Sequence, residues 1–203
     1  LPKYRGAAPI NWAVIEGEAV TDNTVIGIAQ RMDAGPMFGQ QQTPIDPRET
    51  AGELHDRLAE MGPDLVLDVL DRLASETLES VEQDDSQATQ APKLSRADGK
   101  VDFTDSAARV RQRIHGLTPW PGVTTQWTPG DGGPAKPLRL LRVAVDEDHA
   151  PPDAPPGTIL PGHRIATGNG TIRLLEVQAP GSTAMDIDAF ARGHRFEPGG
   201  RLD

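Results

Sequence analysis

One acid offers this chain a start for chemistry. Asp33 stands in the run Arg31-Met32-Asp33-Ala34-Gly35-Pro36. It follows the stretch Thr24-Val25-Ile26-Gly27-Ile28-Ala29, whose β-branched and apolar residues predict a buried strand. Ligands of open α/β sheets sit at strand ends of this kind. A carboxylate there can move a proton or orient a neighbouring base. The competing role is local, an Asx-turn closing on the backbone near Gly35. From the residues alone the two stand level.

Little else competes with Asp33. The five histidines (His55, His115, His149, His163 and His194) are scattered, and none has a second ligand at metal-binding spacing. His55, two residues past the capping box that opens a predicted helix, reads as a surface or packing residue. There is no cysteine, which removes thiolate catalysis and cysteine metal sites. Phosphate-cradling glycine loops and a GxSxG elbow are absent from the sequence. No metal is implied.

The elements that must carry Asp33 can be read in outline. A helix is predicted from Ala8 to Glu16, with Gly17 able to cap its end. Met37 to Gln42 leaves the Asp33 turn as another strand. Thr50-Ala51-Gly52-Glu53 is a capping box. It opens an amphipathic helix of about twenty residues carrying Leu54, Leu58, Met61, Leu65, Val69, Leu70 and Leu73, predicted to pack on a sheet. Pro63 is expected to kink it or start a second segment.

From Glu82 the apolar signal collapses, and 82–101 reads as a linker between domains at 1–81 and 102–203. Beyond it, Asp105 or Ser106 can cap a helix to His115, and Thr118-Pro119-Trp120-Pro121-Gly122 is a rigid turn. Short strands follow at Val123–Trp127, Leu138–Val145, Gly157–Leu160, Arg164–Thr167 and Thr171–Val177, the last two flanking the hairpin signal Gly168-Asn169-Gly170. Glycine-punctuated short strands argue a small barrel, with one brief helix at Ile187–Arg192. Trp120 and Trp127 are expected in its core.

With 203 residues, 21 Gly and 19 Pro, the chain is turn-rich but below the range of low complexity. It holds neither an apolar run near membrane length nor an export signal, which reads as soluble and cytoplasmic. Charge is uneven. Residues 1–92 carry 6 basic and 17 acidic side chains, and residues 93–203 carry 14 and 13. The acidic front repels polyanions, so any nucleic acid belongs on the back half.

Several motifs together carry a resemblance. Leu1-Pro2-Lys3-Tyr4-Arg5-Gly6-Ala7-Ala8-Pro9-Ile10 resembles the segment just after the catalytic Asn-x-His of folate-dependent formyltransferases. Asp22 to Phe38 matches that family's active-site pattern, with Asp33-Ala34-Gly35 as its Asp-x-Gly. Ala91-Pro92-Lys93-Leu94-Ser95, the Thr118–Gly122 turn, and Ala166-Thr167-Gly168-Asn169-Gly170 ahead of Leu174–Gln178 resemble landmarks of the branch that acts on a tRNA. The likeness covers essentially the whole chain. Asp22 and Gly27 depart from the pattern ahead of the catalytic turn.

The resemblance implies the back part of an open Rossmann-like formyltransferase domain, followed by an OB-fold-like β-barrel: α/β plus β. It implies formyl transfer from 10-formyltetrahydrofolate, a co-substrate, to the amino group of methionyl initiator tRNA. Asp33 would tune a histidine and assist proton transfer. Leu1 and Pro2 would close a folate-contacting loop, and Ala29, Gln30 and Arg31 would line the pterin side. Arg5 would be a structural anchor or a substrate contact. Lys93, Arg96 and Lys100 on the linker, with Arg139 and Arg142 on one strand, would meet the tRNA. Gly181-Ser182-Thr183-Ala184-Met185 stands where relatives carry two basic residues, which lowers the expected electrostatic affinity.

The family's Asn and His fall a few residues before Leu1, so the sequence reads as lacking an N-terminal segment and as inactive alone. Two rivals remain: an amino-sugar nucleotide formyltransferase, which shares the Leu-Pro-x-Tyr-Arg-Gly and Asp-x-Gly signals, and a non-catalytic RNA-binding subunit.

Overall fold

The capping box at Thr50 forms, and it opens the longest helix of the chain, α2 (Ala51–Ala74). The Thr50 hydroxyl accepts from the Glu53 N–H, and the Glu53 carboxylate accepts from the Thr50 N–H at 2.8 Å. A computed structural model describes residues 1–146 and 153–203; His149 lies outside the described residues. Contacts divide the chain into two units, Leu1–Val14 with Glu18–Leu94, and Ile15–Gly17 with Ser95–Asp203. Among the described residues no helix is long and apolar enough to cross a membrane.

The first unit contains β1 (Arg5–Gly6), α1 (Pro9–Glu16) as far as Val14, β2 (Val20–Ile26), β3 (Met37–Pro44), α2 and β4 (Gln90–Ala91). β2 and β3 form an antiparallel ribbon, Val20 opposite Pro44 and Ile26 opposite Met37. β1 and β4 pair in parallel, Arg5 with Gln90 and Gly6 with Ala91. The sheet content of this unit is thus two short ribbons rather than one open sheet. Val14, Ala51, Leu54 and Leu58 make its core, with Ile10 and Ile45 against them.

Three expectations shift here. The strand predicted at 24–29 is β2, which ends at Ile26, and Ile28 is fully exposed instead of buried. β-branched residues signalled a strand but could not mark its end. Second, α2 runs through Pro63 unbroken. Gly62 precedes the proline and has no Cβ for its ring to crowd, which lowers the cost of staying helical. Third, Leu54, Leu58 and Val69 are buried, but Leu70 and Leu73 are exposed, because a two-stranded ribbon covers only one side of the helix.

The second unit holds α3 (Ala107–Gly116), β5 (Val123–Thr128), β6 (Lys136–Asp146), β7 (Ile159–Leu160), β8 (Arg164–Ala166), β9 (Thr171–Gln178), β10 (Met185–Asp186), α4 (Ile187–His194) and β11 (Arg201–Leu202). Strand order is β11-β5-β6-β9-β8-β7, with β10 on β9. The Leu202 N–H donates to Gly157 at 2.9 Å and the Ile159 N–H to Gly200 at 2.8 Å, so the two ends of the sheet meet and the barrel is nearly closed. Leu138, Leu140, Val143, Ile172, Leu174 and Val177 fill it. Ser106 caps α3. Buried His115 accepts the Val143 N–H at 3.1 Å through Nε2. Trp127 is buried among Phe190 and Phe196. Trp120, expected beside it in the core, is half exposed instead; its prolines on either side hold it on the turn.

Candidate active site

Gly6 and Asp33 are the two ends of the site. Gly6 has φ +138°, and a Cβ there would stand 2.4 Å from the Ala91 carbonyl oxygen, so only glycine fits. Its N–H donates to Oδ2 of Asp33 at 2.8 Å. Asp33 itself sits at φ 55° and Tyr4 at φ 61°, left-handed conformations that cost energy and gather at functional sites. The carboxylate therefore reaches across 27 positions of sequence rather than folding back on Gly35 as an Asx-turn. It also lies seven residues past the end of β2, on a loop, not at a strand end.

That loop is tied at its neck. The Gly27 N–H donates to Pro36 at 2.9 Å, and a Cβ on Gly35 would fall 1.8 Å from the Gly27 carbonyl oxygen. Close backbone approach explains the glycine of Asp-x-Gly, and Gly27 opposite it leaves room for the turn.

The residues expected as linker hold the loop from behind. Val81 exchanges two hydrogen bonds with Met37. Gln83 donates through Nε2 to the carbonyls of Asp33, at 2.8 Å, and Gly35, at 2.7 Å. Buried Arg5 donates to Gln83 Oε1 through Nε (3.1 Å) and Nη2 (2.7 Å), and to Asp85 through Nη1 (2.9 Å). The Asp85 carboxyl is held below the usual carboxylate range by its hydrogen bond from Arg31, and next by that from Arg5. Arg5 is thus an anchor, with its guanidinium occupied by protein; the substrate-contact reading does not fit a side chain 7% exposed. Arg31 likewise turns to Asp85. Composition hid this, since polar side chains that bind one another read as solvated.

Beside Asp33 lies a cavity of about 480 Å³ lined by Leu1, Tyr4, Glu18, Asp22, Asn23 and Asp33, among others. Glu18, missed in the sequence, accepts from Lys3 Nζ at 2.9 Å and from the Tyr4 hydroxyl at 2.7 Å. The Lys3 bond, then that of Tyr4, hold its carboxyl below the usual range. Leu1 lines the cavity. Pro2 does not, and Ala29, Gln30 and Arg31 are exposed on the loop outside it. Asp33, Leu1 and the Tyr4–Glu18 pair therefore gather around one space.

The cations expected to meet RNA divide between the units. Lys93 is exposed in the first; Arg96 and Lys100 are exposed in the second. Arg139 and Arg142, three apart, would face opposite sides of a regular strand. A register shift between Leu140 and Arg142 returns both to the outer face, Arg139 opposite Gln178 and Arg142 opposite Glu176. Arg139 is spoken for in part: it donates to the Pro119 carbonyl and packs over Gly122. Among the described residues no group of three or more His, Cys, Asp or Glu is gathered as a metal site.

Comparison with known proteins identifies a family. Residues 1–70 match the model of the formyl transferase family, and residues 93–195 that of the formyl transferase C-terminal domain. The chain is 40% identical over 206 residues to the methionyl-tRNA formyltransferase of Geobacter sulfurreducens, covering 100% of this chain and 62% of that protein. It is 41% identical over 212 residues to the enzyme of the same name from Heliobacterium modesticaldum, covering 100% and 65%. The chain thus spans less than two thirds of these relatives. An N-formyltransferase from Helicobacter canadensis, solved with folinic acid and dTDP-3-aminofucose, shares the fold at a TM-score of 0.66 and 15% identity, over 88% of this chain and 62% of that one.

Proposed function

The chain belongs to the formyl transferase family, and from that we propose that it forms part of an enzyme passing a formyl group from 10-formyltetrahydrofolate to the amino group of methionyl initiator tRNA. The observation that carries this reading is similarity along the whole of this chain, 40% and 41% identical, to proteins named methionyl-tRNA formyltransferase. The likeness to a sugar enzyme is one of fold, at 15% identity. Initiator tRNA serves the start of translation, and on that ground the reaction is proposed to take place in the cytoplasm.

In the proposed reaction the substrate amine attacks the formyl carbon, and negative charge develops on the formyl oxygen. The attacking nitrogen gives up a proton and the folate nitrogen takes one up; the oxyanion collapses to the new formamide, the carbon–nitrogen bond to the folate breaks, and tetrahydrofolate leaves. Asp33 supplies a fixed negative charge where the nascent ammonium and its proton carrier must be held. Gly6 fixes one carboxylate oxygen, which leaves the other free to face the cavity. The Asn and His of the family pattern belong, in this reading, to a segment ahead of Leu1 and would stabilise the oxyanion. Leu1 and the cavity wall would receive the folate.

The second unit is proposed to be OB-fold-like and to hold the tRNA, through exposed Arg96 and Lys100 and the partly buried Arg142. Barrels of this type bind nucleic acid through basic grooves. A direct test offers the full-length protein two acceptors with 10-formyltetrahydrofolate. Formylation of methionyl initiator tRNA and not of a dTDP-amino sugar supports the reading. The reverse preference overturns it.

A further inference from the structure

Gln83 lies in a stretch whose composition reads as linker, yet its carboxamide is saturated. A glutamine side chain has two acceptor sites on Oε1 and two donors on Nε2. Here Oε1 accepts Nε and Nη2 of Arg5, and Nε2 donates to the carbonyls of Asp33 and Gly35. The orientation of the amide is forced, because a guanidinium only donates and a carbonyl only accepts. One side chain thus joins the two segments that must meet. On one side is Arg5, whose neighbour Gly6 gives its N–H to the Asp33 carboxylate. On the other is the backbone of Asp33 itself, in a left-handed conformation that needs outside support.

The surrounding strap repeats the connection at either end. Val81 pairs with Met37 just past the loop. Thr89 accepts the Tyr4 N–H through its hydroxyl at 2.8 Å and the Arg5 N–H through its carbonyl at 2.9 Å. Between these backbone ties, Gln83 is the side chain in direct contact with the carbonyl of Asp33.

We infer that Gln83 is a positioning residue for the Asp33 carboxylate, fixing it against Gly6 in the geometry that formyl transfer requires. The inference rests on the formyl-transfer reading for its kinetic consequence, and on geometry alone for its structural one. Misplacement of a catalytic group by about 1 Å can cost on the order of a hundredfold in rate.

The test is Gln83→Glu in the full chain. This change keeps the shape and keeps two acceptors for Arg5. It removes both donors and sets an oxygen against the carbonyls of Asp33 and Gly35. The expected result is a fall in kcat of about 30-fold, with KM for each substrate within about twofold, and a protein that stays folded but melts at a somewhat lower temperature, because two hydrogen bonds are lost. A second readout needs no activity: exchange of the Gly6 amide proton should accelerate about tenfold or more, while amides within α2 keep their protection. If the parent protein transfers no formyl group, the functional reading fails and the exchange experiment alone decides the inference. Unchanged Gly6 exchange overturns it, as does a kcat within about twofold of the parent.

Discussion

The main-chain N–H of Gly6 meets the carboxylate of Asp33 at 2.8 Å, joining the segment that follows Leu1 to a loop tied off between Gly27 and Pro36. That bond exists because residue 6 lacks a side chain. Gly6→Ala would drive a methyl group into the Ala91 carbonyl and force an L-residue with a Cβ to φ +138°. The expected loss is about 1–3 kcal/mol of stability, with a further drop in turnover of at least about tenfold as the N–H swings off Asp33. Thermal unfolding and turnover measured together check it, and parent-like values for both would refute it.

Acid should loosen the first unit before alkali does. Asp85 titrates below its ordinary value of 3.8 because of Arg31 and then Arg5, and Glu18 below 4.5 because of Lys3 and then Tyr4. A carboxylate depressed in the folded state contributes stability above its unfolded pKa. That contribution drains away as pH falls through the folded value. Asp85 is exposed and Glu18 only partly buried, so solvent screens both and each effect is modest. Melting temperatures recorded between about pH 3 and pH 6 should fall toward the acid end. Asp85→Asn and Glu18→Gln should each flatten that fall, and identical slopes in parent and variants would count against the network.

Folding and RNA affinity should depend on different side chains. Trp127→Ala opens the barrel core and should cost about 3–5 kcal/mol. Trp120→Ala removes a half-exposed ring and should change stability by no more than about 0.5 kcal/mol. Replacing Lys93, Arg96 and Lys100 together should reduce the slope of log affinity for tRNA against log salt by up to about three units. Salt-independent tRNA binding by the parent would contradict the electrostatic account.

The sequence was most legible where one residue type has one job. Thr50 with Glu53 announced α2, and Gly168-Asn169-Gly170 announced the β8–β9 turn. Asp33 was visible as an acid on a glycine-bearing turn after a predicted strand. Its partner was not, since a backbone N–H 27 residues away has no side-chain signature. Gln83, Arg5 and Asp85 were hidden for a related reason. Each is polar, and only the fold shows that they satisfy one another instead of water. The bulge that puts Arg139 and Arg142 on one face has no period to read. The exposed leucines of α2 show the opposite failure, where apolar spacing overstated what a two-stranded ribbon can bury.

The central claim is that the Asp33 carboxylate serves formyl transfer to an aminoacylated tRNA. The most direct measurement is the single-turnover rate of methionyl initiator tRNA formylation from 10-formyltetrahydrofolate by the full-length protein, with and without Asp33→Asn. The amide oxygen of the variant can still accept the Gly6 N–H, so the fold is kept and the charge alone is lost. The account predicts formylation by the parent and a rate lower by about 100-fold or more in the variant, with an unchanged melting curve. A variant that formylates the tRNA at the parent's rate would contradict it.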